Sequence, residues 1–200
     1  MRPYSESCDQ NRDPIFEILA PLVQDRSRLL EIGSGTGQHA VYFGSKLPHL
    51  IWQTSDRSEN HPGIRRWLDE AGLPNVLPPL VLDTRGEWPD IEADAVFSAN
   101  TTHIMHWDDV VGLFRGVSRI LSPGGIFILY GPFNYDGQYT SDSNRRFDEW
   151  LKQRDPLSGI RDFEALDKLA NETSMALAAD HAMPANNRIL CWKCRADKSC

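Results

Sequence analysis

At 200 residues the chain is long enough for one well-filled core and short for two, so a single domain spanning 1–200 is expected. A composition of 40% hydrophobic and 24% charged residues, with no apolar run near the roughly 18 needed to cross a bilayer, argues against a disordered or membrane-embedded protein. Lys and Arg total 21 against 28 Asp and Glu, and the resulting formal charge of −7 opposes general attraction to phosphate backbones. The partner expected is therefore a small molecule rather than nucleic acid or membrane.

The segment Met1 to Asn11 is polar, with no signal-peptide core, which gives a cytoplasmic expectation. A first helix is predicted from Asp13 to about Val23, with Asp13 as cap and Pro14 at the first helical position, burying Phe16, Ile18, Leu19 and Leu22. Arg28 to Ile32 reads as a short buried strand, followed by closely spaced glycines and a helix through Leu47. Leu50 to Thr54, Val76 to Leu82, Asp94 to Ser98 and Ile126 to Tyr130 are four more short apolar strands, as central parallel strands are. Trp107 to Leu121 carries Val110, Leu113, Phe114, Val117 and Leu121 on one helical face, with Trp107 as a packing residue at its start. Ser122-Pro123-Gly124-Gly125 turns the chain into the next strand. Helices near Asn144 to Gln153 and Asp162 to Asn171 and a hairpin from Met175 to Lys193 complete the chain. Alternation of strands and helices marks a mostly parallel α/β sheet.

The densest chemical signal lies between the first strand and its helix, at Gly33-Ser34-Gly35-Thr36-Gly37-Gln38. Glycines let a backbone turn tightly and approach a ligand closely. Gln38 stands where the dinucleotide fingerprint GxGxxG requires a third glycine, which weighs against a nicotinamide-dependent oxidoreductase. Glu31, inside an apolar strand, is costly to bury alone, and an ammonium group would satisfy it. Thr101, Thr102, His103, His106 and Trp107 follow the fourth strand, at the sheet edge where ligands bind in open α/β folds. His103 is the candidate general base for an alcohol acceptor. Tyr135 and Tyr139 flank Gly137 in a loop suited to a substrate lid, and Asn144 opens the following helix. Arg145 and Arg146 in that helix's first turn are expected to pair with Asp148 or Glu149, and Arg154, Asp155, Arg161 and Asp162 to form a salt-bridge cluster. Cys8, Cys191, Cys194 and Cys200 read as free thiols; Cys191 and Cys194 form a CxxC, the pattern of half a zinc site or a redox pair, but with no second CxxC or matching His pair they read as part of a terminal strand, Ile189 to Cys194, and no metal is implied.

The stretch from Leu29 to Gln38 resembles motif I of class I S-adenosylmethionine-dependent methyltransferases, and later positions match that family in order. The resemblance implies S-adenosylmethionine as cofactor and S-adenosylhomocysteine as product, held by Glu31, Gly33, Ser34, Gly35, Gly37 and Gln38. It further implies Asp56, with Arg57 beside it, on the ribose hydroxyls, Asp83 and Thr84 at the adenine, and Asn100 facing the sulfonium and substrate. Leu121 to Gly125 matches the family's LxPGG turn. Gly131-Pro132-Phe133, Thr140 to Asn144, Phe147-Asp148, Arg154-Asp155-Pro156, Gly159 to Asp162 and Met183 to Arg188 are similar to an uncharacterised methyltransferase family that includes methyltransferase-like protein 26. Arg2-Pro3-Tyr4-Ser5 with Asn11-Arg12 extends that resemblance to the N-terminus. The implied fold is a Rossmann-like, mostly parallel seven-stranded sheet with an antiparallel C-terminal hairpin and helices on both faces. It divides into a helical lid at 1–27, a cofactor-binding core at 28–131 and a substrate side at 132–200. The implied activity is methyl transfer to an oxygen, nitrogen or sulfur nucleophile of a small molecule; a noncatalytic cofactor-binding regulator or scaffold is the alternative. Oligomeric state is not legible.

Overall fold

The structure is a computed structural model that describes residues 2–196; Met1 and Cys200 lie outside the described residues. Helix α1 runs Glu6–Val23, several residues longer at its start than the Asp13 cap implies, and Pro14 falls inside it. An interior proline leaves the carbonyl four residues earlier without its helical donor. Side-chain bonds to the next helix offset that loss: His39 Nε2 meets Asn11 Oδ1 at 2.8 Å and the Tyr42 hydroxyl donates to Asp13. Ile15, Leu19 and Val23 form the fully buried stripe, with Phe16, Ile18 and Leu22 packed beside it.

Strand β1 (Arg28–Ile32) leads to α2 (Gln38–Lys46) and β2 (Ile51–Asp56); then come α3 (His61–Ala71), β3 (Val76–Val81) and β4 (Ala93–Ala99). Next are α4 (Trp107–Ile120), β5 (Leu121–Gly131), the two-residue β6 (Phe133–Asn134), α5 (Asp142–Arg154), β7 (Arg161–Asp162) and α6 (Phe163–Glu172). Strands β8 (Met175–Met183) and β9 (Asn187–Cys194) close the chain.

The sheet order is β3-β2-β1-β4-β5-β9-β8, with β1 to β5 parallel and β9 antiparallel to both β5 and β8; β6 and β7 make a small parallel pair apart from it. The order reverses beside β1, so the carboxyl ends of β1 and β4 diverge there into a crevice, the usual ligand position in such sheets. Pro78 and Pro79 are tolerated in β3 because it is an edge strand. Opposite the start of β4, the register jumps from Ala93↔Leu121 to Ala95↔Ile126, so Ser122 to Gly125 bulge out of β5.

Each face of the sheet carries its own apolar layer. Leu30, Ile32 and Val96 pack with residues of α4 and α6, while Leu29, Ala95 and Phe97 pack with residues of α1 and α2. Cys191 and Cys194 join opposite layers, as strand residues three apart must, so this CxxC cannot close on itself or share a metal. Helix α3 is the α-helix the sequence reading missed, along with the two-residue strands β6 and β7. Its Pro62 near the start and left-handed Gly72 just past the end are the ordinary punctuation of a helix, but Ile64 is its only fully buried residue. Trp107 begins α4 yet stands 39% exposed, contrary to its expected packing role. Among the described residues no helix is long and apolar enough to cross a membrane.

Candidate functional site

At the end of β1 the chain makes a turn whose amides fold back on β2. Gly33 and Ser34 both donate their N–H to Ser55 O at 3.0 Å, and Gly37 N bonds Ser34 O at 2.8 Å. Gly33 has a φ of +74°, and a Cβ there would lie 2.6 Å from Thr101 Cγ2. Gly37, at φ +91°, packs so closely on α3 that a Cβ would stand 3.2 Å from Ile64 Cα. These two glycines therefore let the loop nest between β4 and α3, where any side chain would push it away.

Asp56 at the tip of β2 holds the loop from the other side. Its Oδ2 accepts Gly35 N–H at 2.7 Å, while Oδ1 accepts Arg57 N–H and Asn60 Nδ2 at 2.8 Å each. A carboxylate offers about four acceptor positions, so one remains open towards a ligand. Loop and carboxylate border a cavity of about 400 Å³. Its walls include Ser34, Gly35 and Thr36 from the loop, Asp56, Arg57 and Asn60 after β2, Asp83 to Arg85 after β3, and Ala99 to Thr101 after β4. Asn100 takes the left-handed conformation (φ 59°), which asparagine accommodates more readily than most residues, and donates its N–H to Tyr130 O at 2.9 Å. Asp83 Oδ1 accepts Arg85 N–H at 3.0 Å, and the Arg85 guanidinium is paired with Asp109. The Arg57 side chain turns outward to Glu59 at 3.1 Å.

Residues 2–5 and the first turn of α1 form a strap beside the cavity, supplying Ser5, Ser7 and Cys8 to its wall. Gln38 grips the strap with both ends of its amide, accepting Ser5 N–H at 2.6 Å and donating to Ser5 O at 3.2 Å. Trp67 Nε1 bonds Pro3 O at 2.7 Å, and Arg2 lies over the Trp67 ring. His39 also lines the cavity, and burial lowers its pKa to about 4. Gln38, assigned to the cofactor by resemblance, is outside the cavity lining and fastens the segment that carries Ser5.

Glu31 is 2% exposed and does not itself line the cavity. Its Oε2 accepts Ser34 Oγ at 2.8 Å and Trp52 Nε1 at 3.1 Å. Burial raises its pKa to about 7; the bonds from Trp52 and Ser34 oppose that rise and the Asp56 charge adds to it.

The acceptor-side residues sort differently. His103 is 6% exposed, lies edge-on to Phe147 at 5.2 Å, and its Nδ1 has no hydrogen-bond partner. Burial, followed by the nearby Arg161 charge, lowers its pKa to about 4, so the ring is neutral at physiological pH. His106 caps α4: its side chain accepts the Asp109 N–H and its Nε2 meets Asp155 Oδ2 at 2.7 Å, so both ring nitrogens are engaged. His103, Tyr135, Tyr139 and Asn144 do not line the cavity. Tyr135 OH donates to Asp180 at 2.8 Å, Tyr139 OH to Asp148 at 2.6 Å, and Asn144 Nδ2 to Thr140 Oγ1 at 2.9 Å and Asn186 O at 3.1 Å.

The expected cluster of Arg154, Asp155, Arg161 and Asp162 does not form. Arg161 donates to the carbonyls of Thr102, Met105 and Leu157, Arg154 lies over Trp150, and Asp155 takes His106. Arg145 pairs with Asp142 and Glu149 at 3.3 Å each. Asn60, His39 and Asp109 are cavity residues the sequence reading missed. Asn60 was hidden with the unseen start of α3, and Asp109 lies in the first turn of α4.

The strand order, the antiparallel closing hairpin and the crevice beside a glycine turn are those of the Rossmann-like class I methyltransferase fold. The chain belongs to the family described as protein of unknown function (DUF938), whose model matches residues 2–194. It is similar to an O-methyltransferase family protein from Burkholderia thailandensis, with a TM-score of 0.84 at 11% identity over 96% of this chain and 59% of that one. It is similar also to human N-acetylserotonin methyltransferase, solved with S-adenosylmethionine, at TM-score 0.79 and 14% identity over 95% of this chain and 53% of that one. An O-methyltransferase family 2 protein from Planctomyces limnophilus, solved with apigenin, gives 0.73 and 15% over 84% and 50%. The chain thus spans between half and three-fifths of these proteins, and at such identities the likeness defines the fold alone.

Proposed function

We propose that this protein transfers a methyl group from S-adenosylmethionine to a nucleophilic oxygen, nitrogen or sulfur of a small molecule. One observation carries the reading: the 400 Å³ cavity lies where the tips of β1, β2 and β4 meet, walled by Asp56 and Asn60 on one side and Asn100 on the other. That volume falls within the range of small-molecule sites. Asp83 and Thr84 suit the base, the open acceptor position of Asp56 together with Asn60 suits a ribose, and an ammonium arriving near Glu31 would favour its charged form. The resemblance of residues 131–188 to the family that includes methyltransferase-like protein 26 supports the same reading.

Bound S-adenosylmethionine would supply an electrophilic methyl on its sulfonium, so the chain's own task is alignment and exclusion of water. The strap over residues 2–8 and Met105 contribute to exclusion. His103, neutral and with Nδ1 unpartnered, is the residue proposed to take the acceptor's proton as the new bond to carbon forms. The test is incubation with methyl-labelled cofactor and a metabolite extract, read by mass spectrometry. A labelled small molecule that appears with the wild-type protein and not with a binding-defective variant is the expected result; cofactor bound yet never consumed would refute methyl transfer.

A further inference from the structure

Helix α5 buries one stripe and leaves another face without a neighbour. Asn144, Asp148 and Leu151, at spacings of four and three, are the residues it buries. Arg146, Trp150 and Arg154 follow one another at intervals of four, so they line up along a second face, and all three are exposed. The helix's other two cations are neutralised within the chain, Arg145 by Asp142 and Glu149 and Lys152 by the buried Asp148. Among the described residues the Arg146 side chain has no carboxylate partner, and the Arg154 guanidinium meets only the Trp150 ring, at 4.6 Å from its centroid. A chain with a formal charge of −7 thus presents two unpaired cations on either side of one exposed tryptophan.

The apolar part of this surface continues beyond the helix. Trp150, 47% exposed, stacks on Phe147 at 5.8 Å, and Phe147 meets the ring of His103. Ile104 follows His103 and is 59% exposed; its carbonyl accepts Ser158 Oγ at 3.2 Å, which ties to it the segment carrying Leu157, 61% exposed. Large apolar side chains left in solvent on three neighbouring segments mark a surface that binding covers.

Charge decides the occupant. A second copy packed on this face by a two-fold axis would set Arg146 and Arg154 against the same two arginines, and like charges brought together oppose association. A nucleic acid or an anionic membrane would gain two free cations while meeting the field of a chain with a charge of −7. A short acidic polypeptide segment suits both halves of the surface: its carboxylates match the planar fork of a guanidinium, and an apolar side chain between them covers the tryptophan. Trp and Arg are also the side chains that most often dominate the energy of a protein interface.

We propose that the outer face of α5, with Ile104 and Leu157 beside it, docks an acidic polypeptide segment of a partner protein, whose carboxylates engage Arg146 and Arg154 and whose apolar side chain covers Trp150. This surface is independent of the methyl-transfer reading.

The test uses the full chain and fluorescence anisotropy of four labelled probes: a random copolymer of glutamate and tyrosine, polyglutamate, a single-stranded oligothymidylate and phosphatidylserine vesicles. Saturable binding of the copolymer, tighter than that of the other three, is expected. It should weaken several-fold as salt rises from about 0.1 M to about 1 M, where the screening length falls from about 10 Å to about 3 Å. The double variant Arg146→Glu with Arg154→Glu, both at exposed positions, should weaken the copolymer by about tenfold while its circular-dichroism melt matches wild type. Trp150→Ala, which keeps both charges, should weaken it by a similar factor. Absence of copolymer binding, affinity untouched in the folded variants, or equal or tighter binding of polyglutamate, oligothymidylate or vesicles would overturn the proposal. So would a wild-type dimer in sedimentation equilibrium that the charge-reversed variant dissociates, since the occupant would then be a second copy.

Discussion

Asp56→Asn removes one acceptor from the most connected carboxylate of the site and adds two N–H groups in its place. Asp56 serves three donors: Gly35 N on one oxygen, and Arg57 N with Asn60 Nδ2 on the other. An asparagine has one carbonyl oxygen, which in its better orientation keeps Arg57 and Asn60 and sets an NH2 against the Gly35 N–H. At least one hydrogen bond to a charged acceptor is lost, worth about 1.5–3 kcal/mol. Water in the cavity can replace part of that bond in the empty protein, so stability should fall by only about 1 kcal/mol. With ligand bound the water is displaced and the full loss applies. Affinity for S-adenosylmethionine should therefore drop by about 10- to 100-fold. Equilibrium dialysis against labelled cofactor, with a urea titration to establish folding, measures both. A folded variant whose affinity stays within about twofold of wild type would refute the role given to this carboxylate.

Gly33→Ala places a Cβ 2.6 Å from Thr101 Cγ2 at a φ of +74°, so it should cost about 2–3 kcal/mol in urea unfolding. Adding Thr101→Ser should recover the steric part and leave the backbone part. Glu31 has a folded pKa of about 7 against an ordinary 4.5, so folding favours its proton. Its contribution is whole below pH 4.5 and is lost as pH rises to 7, by about 3 kcal/mol. The stability of wild type minus that of Glu31→Gln should therefore fall across this window; a difference independent of pH would refute the buried ionisation. Gln38→Ala frees Ser5 from both its amide bonds. Faster deuterium uptake over residues 2–8 and quicker cofactor release are expected, and unchanged exchange would show that Trp67 holds the strap alone. His103→Ala should lower turnover of an alcohol acceptor by about 100-fold or more with little change in cofactor affinity.

What the sequence made legible was whatever is fixed by local chemistry and short-range pattern. Arg28 to Ile32 is a five-residue run with three apolar residues and two charges, Arg28 and Glu31, and it is β1 to the residue. Asp56 and Asp83, positions implied by the resemblance, are at the cavity. Long-range tethers were invisible by their nature. Nothing in Glu6 to Arg12 announces a helix continuing through Pro14, because it is stabilised by Asn11 and Asp13 reaching α2. Gln38 is in the right loop, but its amide meets Ser5, thirty-three positions away in sequence. Tyr135, Tyr139 and Asn144 looked available because their partners Asp180, Asp148 and Asn186 are set by the closing hairpin and by α5, which residue spacing alone does not reveal.

The central claim is a pocket shaped for a sulfonium nucleoside, and calorimetric titration of the wild-type chain with S-adenosylhomocysteine, beside NAD as comparison, tests it most directly. Saturable binding of one equivalent of S-adenosylhomocysteine, with no heat from NAD, is the predicted result. A folded protein that takes up neither, or that prefers NAD, would contradict it.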